Sequence, residues 1–365
     1  VTMGMKVRAF EGRWQEYIGT RHAIMVNSGS SANLLALSAL KAQGRLREGD
    51  EIITPALTWA TTVFPIAQVG CVPVLVDVDR ETYNISPAAI ERAITRKTRG
   101  IMPVHLLGNP CDVTALCAIA ATRDLVLIED CCEAHGAEWH GKKVGSFGDA
   151  ATFSFFFSHH ISTVEGGMVV CQFRSTADIC RSMRAHGWIR ELGDREAVAA
   201  QHPEIDYRFL FLYPGYNFRP TEVQGAFGLH QLPRLEGLIA HRRQNAAYWN
   251  QELERYRDYL TLPHEAPHTR HSYFAYPLTV KPGAPFKAKD LQGHLESCGL
   301  ETRQIESGNM AIQPAMASVP HRAEPVPNAQ YIHDNGFFFG AHHGIGPQER
   351  EAVAGYVHDF LRRHV

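Results

Sequence analysis

The chain has 365 residues, 45% hydrophobic and 20% charged, which is enough apolar material for one large core and a smaller lobe and excludes a disordered chain. Its formal net charge of -2 and pI near 6.9 exclude the broad basic field that a nucleic-acid partner needs, so any anion pocket must be local. No apolar run approaches the roughly 20 residues of a bilayer span, and the first residues lack the order of a signal peptide, so a cytoplasmic protein with no membrane partner is expected.

From residue 23 to 185, short runs rich in Val and Ile alternate with stretches of helical period. AIMVNS (23–28), EIITPA (51–56), VPVLVDVD (72–79), GIMPVHLLG (100–108) and LVLIEDC (125–131) read as strands. Between them SSANLLALSALKAQ, SPAAIERAITRK and DVTALCAIAATRD read as helices with Ser or Asp caps. This alternation predicts an α/β fold with a mostly parallel sheet covered on both faces. A strand-like ATFSFFF (151–157) then leads through His159 and His160 to a Gly-Gly turn and another apolar strand.

Beyond residue 220 the pattern changes to the helices TEVQGAFGLHQLPRL and LIAHRRQNAAYWNQELERY, a strand-like YFAYPLTV and the helix KDLQGHLESCG. A large domain over 1–220 and a small C-terminal domain over 221–365, with linking helices, are expected. Residues 191–215 and 302–345 read as ordered loops. Eight dispersed cysteines without a CxxC pair predict reduced, packed thiols and no metal site.

In open parallel sheets, ligands sit beyond the carboxyl ends of the strands. Asn27 to Ala32 joins a strand to a helix there, so the amides of Ser30 and Ser31 can face a phosphate, although an ordinary Gly-containing turn fits equally well. Trp59 can stack on a planar heteroaromatic ring or fill the core. Asp130 ends a very apolar strand, where a buried carboxylate calls for a cation such as a protonated pyridine nitrogen, or else serves as a helix cap. Adjacent side chains of an extended chain point opposite ways, which predicts that one of His159 and His160 is functional and the other packs.

GSSAN, TWATT, EDCCEAHGA, FSFFFSHHISTVEGG and YNFRPTEVQGAFGL occur in the order and rough spacing of the DegT/DnrJ/EryC1/StrS sugar aminotransferase family, which the chain resembles over nearly its whole length. The resemblance implies the fold-type I, pyridoxal phosphate (PLP)-dependent aminotransferase fold, with a seven-stranded type of sheet in the large domain and a smaller α+β C-terminal domain. It also implies a homodimer with shared active sites. Carried over residue by residue, Ser30, Ser31 and Ser154 match phosphate-binding positions, Trp59 the ring-stacking aromatic and Asp130 the pyridinium partner. Glu133 falls where the family commonly has Gln or His near the cofactor's ring oxygen. Asn217 and Arg219 match the segment that reaches the neighbouring subunit's phosphate, and His160 and His342 are expected substrate contacts.

The departure lies at the nucleophile. The family usually has lysine five positions after the phosphate-binding serine, where this chain has His159. An imidazole lacks the primary amine needed to tether the cofactor aldehyde, so PLP or pyridoxamine phosphate (PMP) is expected to be held noncovalently, while His159 can still move protons. The substitution resembles the sugar 3-dehydratase branch of the family. It implies loss of the C3 hydroxyl from a nucleotide-linked 4-keto-6-deoxyhexose, with His159 as the base and glutamate as amino donor. A reductase-coupled 3-dehydrase with an iron-sulfur cluster needs grouped cysteines in the later half, where only Cys298 follows Cys180. An ordinary nucleotide-sugar aminotransferase and an inactive homologue that keeps the pocket are the other readings.

Overall fold

In the computed structural model, which describes residues 2–365, the parallel strands form the centre of a single eight-stranded sheet. Its order is His22–Val26, Gly167–Cys171, Ala150–Ser154, Val126–Asp130, Thr98–Ile101, Glu51–Pro55, Val72–Val76 and Arg322–Ala323. Only Gly167–Cys171 runs against the rest. Four of these eight strands are buried along their whole length, which is why they read as unbroken apolar runs. The eighth strand is contributed from the C-terminal part, where Arg322 and Ala323 pair in parallel with Val74 and Leu75.

Two of the expected strands end early for local reasons. GIMPVHLLG stops at Ile101, because Pro103 has no amide to continue the ladder and 106–108 turn through Leu107 at φ 53° and Gly108 at φ 88°. ATFSFFF stops at Ser154, and Phe156 and Phe157 emerge onto the surface.

Helix Gly29–Ala42 starts directly after the first strand and lies under a core that includes Leu35, Ala36 and Leu40. Helix Met5–Ile18 packs Phe10 and Trp14 onto the other face, against Phe153 and Phe155. Glu222 fixes the start of that helix by accepting hydrogen bonds from the amides of Gly4, Lys6 and Val7 at 2.8, 3.0 and 3.1 Å. Helix Glu222–Gln231, which follows residue 220, therefore packs on the first helix. The smaller antiparallel sheet, ordered Leu260–Thr261, Ala275–Val280, Gly336–Gly340 and Thr302–Gln304, shares a separate core with helices Leu235–Leu253 and Pro347–His364. Among the described residues no helix is long and apolar enough to cross a membrane, and all eight cysteines are free.

Candidate active site

The carboxyl ends of the central strands carry a polar cluster built from distant parts of the chain. Asp130 closes its strand, is buried, and holds three donors: Asn33 Nδ2 at 2.9 Å and Thr62 Oγ1 at 2.8 Å on Oδ2, and the Cys132 amide at 3.1 Å on Oδ1. Thr152 Oγ1 donates to Asn33 Oδ1 at 2.5 Å and Thr58 Oγ1 to Thr62 Oγ1 at 3.0 Å, so the carboxylate is fixed from both sides. A carboxylate has about four lone-pair sites and costs free energy when buried without a cation. Asp130 keeps capacity for one more donor and has no salt-bridge partner among the described residues, which fits a protonated ring nitrogen.

Beside it, the start of helix Gly29–Ala42 meets the end of strand Ala150–Ser154. Ser28 caps the helix, with its Oγ accepting from the Ser31 amide at 3.1 Å, so the Ser31 amide expected to face a phosphate is already engaged. The amides of Gly29 and Ser30 lie in the first turn, where no carbonyl of the helix reaches them. A Cβ on Gly29 would stand 2.5 Å from Ser154 Cβ, 2.9 Å from Ser154 Oγ and 3.1 Å from Cys132 Sγ. Glycine thus lets the helix start approach the strand end closely, which brings two amides without helical partners beside a buried serine hydroxyl at the positive end of a 14-residue helix. Trp59, at 53% exposure, stands at the rim instead of in the core.

His159 is half-buried, with Nδ1 sealed from solvent and without a partner, so Nε2 is the nitrogen that looks outward. Burial, assisted by the Arg242 guanidinium, lowers its pKa to about 3 and keeps the ring neutral. The chain turns at this point, with the His159 amide donating to the Phe156 carbonyl at 3.1 Å. The alternation expected of an extended strand consequently does not apply. Both neighbouring rings converge on His135, with centroids 5.9 Å (His159) and 5.4 Å (His160) from it, and on Phe274. His160 is buried with Nε2 on the Ser272 carbonyl at 3.0 Å, which places it behind His159 as a packing residue and away from substrate.

His342 is exposed on the 341–344 turn, and its Nδ1 accepts from the Gly344 amide at 3.2 Å. Asn217 is exposed, with its Oδ1 accepting from Arg219 Nε at 3.0 Å, and the rings of Phe209, Phe211 and Phe227 are exposed as well. Glu133 is buried and accepts from the Leu107 amide at 2.6 Å. Lys143 is committed to Glu138 at 3.2 Å in a small surface sheet with Lys142, so neither lysine replaces His159.

His105, Glu129 and Cys131 bring three ligand-type atoms within 4.8 Å of one another beneath the sheet. The protein satisfies them itself: the Cys111 amide donates to His105 Nδ1 at 3.0 Å, Nε2 faces Glu129 at 3.2 Å, and Glu129 also accepts from the amides of Gly145, Phe147 and Gly148. This is an internal brace for the 145–148 turn.

Residues 1–358 match the DegT/DnrJ/EryC1/StrS aminotransferase family. The chain belongs to this family. Within the DegT/DnrJ/EryC1/StrS relatives, the GDP-4-keto-6-deoxy-D-mannose 3-dehydratase of Yersinia pseudotuberculosis is 38% identical over 347 residues, covering 93% of this chain and 88% of that protein. The dTDP-4-dehydro-2,6-dideoxy-D-glucose 3-dehydratase of Saccharopolyspora spinosa is 36% identical, covering 100% of this chain and 82% of its own. A solved structure of GDP-4-keto-6-deoxymannose-3-dehydratase with a trapped PLP-glutamate geminal diamine matches with a TM-score of 0.91 at 36% identity, over 98% of this chain and 93% of that one. The fold is that of the PLP-dependent aminotransferases, as the motif order implied.

Sequence reasoning missed Asn33 and Thr62, the two side chains that hold Asp130, and His135 and Glu306. The first three sit inside the quoted motifs GSSAN, TWATT and EDCCEAHGA, next to residues that were singled out. Glu306 lies in the loop-like stretch 302–345, and only the tertiary fold shows that it meets Glu133.

Proposed function

We propose that the protein removes the 3-hydroxyl of a nucleotide-linked 4-keto-6-deoxyhexose, using PLP and PMP held without a covalent tether, glutamate as amino donor and His159 as the base. The observation that carries this reading is the neutral imidazole of His159 at the position of the family's lysine, with Nε2 turned outward. The relatives named above support it, two as sugar 3-dehydratases and one as a structure in which PLP and glutamate are joined. When bound, the cofactor supplies an amine for the sugar's ketone and an electron sink that allows the neighbouring hydroxyl to leave.

The chain supplies binding, orientation and proton handling. The Gly29 and Ser30 amides and Ser154 Oγ hold the phosphate, Asp130 meets the protonated ring nitrogen, and Trp59 covers the ring. His159 Nε2 takes the proton. A base with so low a pKa is weak, but its imidazolium is correspondingly strong as an acid, which suits return of that proton to the departing hydroxyl. The exposed Phe209, Phe211 and Phe227 fit an interface with a second copy, through which Asn217 and Arg219 reach the partner's phosphate site.

Purified protein mixed with PMP, glutamate and GDP-, CDP- and dTDP-linked 4-keto-6-deoxy sugars tests this by product mass and ammonia release. A product lacking one oxygen and carrying no nitrogen is expected, and His159→Asn removes it. A retained amino group would assign amino transfer instead.

A further inference from the structure

Glu133 does not stand alone at the site. Its carboxyl faces that of Glu306 at hydrogen-bonding range, and the first cause of the upward pKa direction in both is burial. The facing charges are all of one sign: Asp130 bears on both carboxyls, and Cys132 packs against Asp130 and Glu133. The only other polar partner is the Leu107 amide at 2.6 Å, on a turn held at φ 53°. Two adjoining carboxylates, Glu133 buried and Glu306 half-buried, with no cation between them cannot both ionise near neutrality.

The fold invests in this contact. Glu306 sits at φ 49°, an unfavourable backbone for a side chain of its size. Its loop is clamped to the loop that carries Trp59: the Ser307 amide donates to the Thr58 carbonyl at 3.3 Å, the Ala60 amide to Ser307 Oγ at 3.2 Å, and the Met310 amide to the Ala56 carbonyl at 2.8 Å. These bonds set Glu306 against Glu133 with the backbone strained, and no cation stands near to compensate.

We propose that Glu133 and Glu306 act as one acid holding a single shared proton at neutral pH, and that Glu306 is the positioning residue that lets Glu133 meet the bound cofactor as a proton donor instead of a carboxylate. The second half rests on the cofactor reading above. It also explains how this chain uses Glu where its family commonly has a neutral hydrogen-bonding side chain.

The test is infrared titration of the apoprotein, labelled with 13C-glutamate, through the protonated-carboxyl band, in wild type, Glu306→Gln and Glu133→Gln. The wild type is expected to keep a protonated buried carboxyl at neutral pH, and each nearly isosteric variant to titrate lower by about one pH unit or more once its like-charged neighbour is gone. Titrations that coincide in all three proteins would overturn the shared proton. With PLP bound, Glu306→Gln should move the pH dependence of the cofactor's absorbance in the same direction and Glu306→Asp should partly restore it; an unmoved absorbance titration would overturn the positioning role. A wild type that binds no B6 vitamer would sink the proposed function and the positioning role, whereas the apoprotein titration decides the shared proton by itself.

Discussion

Gly29→Ala is the smallest change that should disturb the proposed phosphate site. The added methyl would stand 2.5 Å from Ser154 Cβ and 3.1 Å from Cys132 Sγ, closer than side-chain carbons normally approach, so Ser154 must shift. Two effects oppose each other in stability: alanine gains about 1 kcal/mol of helix propensity over glycine, and overpacking costs about 1–3 kcal/mol. The net change should therefore be a loss of no more than about 2 kcal/mol, and the variant should fold. Cofactor affinity is not so buffered. Losing one hydrogen bond to a charged phosphate costs about 1.5–3 kcal/mol, which weakens PLP binding roughly tenfold to a hundredfold. Gly12→Ala is the control, since nothing lies within 4 Å of its Cβ on the exposed face of helix Met5–Ile18, and it should gain stability with PLP binding unchanged. Equilibrium dialysis and thermal melts of the three proteins decide the matter. Wild-type PLP affinity in Gly29→Ala would refute the placement of phosphate at this helix end.

Stability should fall steeply in mild acid. His135, His159, His160 and His271 all have pKa values lowered chiefly by burial, so below the unfolded value of about 6.5 the unfolded chain binds protons that the folded chain refuses. The Glu133–Glu306 pair, raised when folded, offsets one of these protons, and His105, also raised when folded, opposes the fall until the unfolded histidines are protonated; the loss therefore steepens toward roughly 4 kcal/mol per pH unit only about one unit below 6.5, and a flat melting temperature between pH 6.5 and 5 would contradict it. Glu11→Ala should cost about 3–5 kcal/mol in denaturant unfolding, because it leaves the buried Arg184 guanidinium without its 2.6 Å partner. Glu191 at 3.4 Å is the compensation that would bring the loss to the lower end. Cofactor should be removable by dialysis, and borohydride treatment should leave no adduct. Readdition should raise stability by about 2.7 kcal/mol at a hundred times Kd.

The sheet was legible because its strands are buried on both faces and so appear as unbroken apolar runs, LVLIED being the clearest. The strand ends were less so, since Pro103 and the left-handed Leu107 act through three-dimensional pairing. The main site residues stood next to recognisable segments, but their partners did not: nothing in the spacing of Asn33 and Thr62 says that both will hold Asp130, 97 and 68 positions away. The paired histidines divide as expected, with His160 packed, but not through alternation along an extended chain, because the strand had already ended at Ser154. The eighth strand, two residues long and paired with residues 248 positions away, carries no periodicity of its own.

The surroundings of His159 also constrain where a proton taken there can go. Behind the ring lie His135, whose two nitrogens are buried without hydrogen-bond partners, His160, and Arg242, whose own pKa burial lowers to about 10. All three disfavour further positive charge: burial holds the two imidazoles neutral and the guanidinium is already charged. No carboxylate orients Nδ1 of His159, so the inward side offers neither a relay nor a sink. A proton accepted at Nε2 can be given up only on the outward face, to whatever group stands there. A lysine at this position would swing on a flexible stem and bond to the cofactor. The imidazole in its turn is confined to one face and one nitrogen, which favours a step in which the proton removed and the proton returned pass through the same atom.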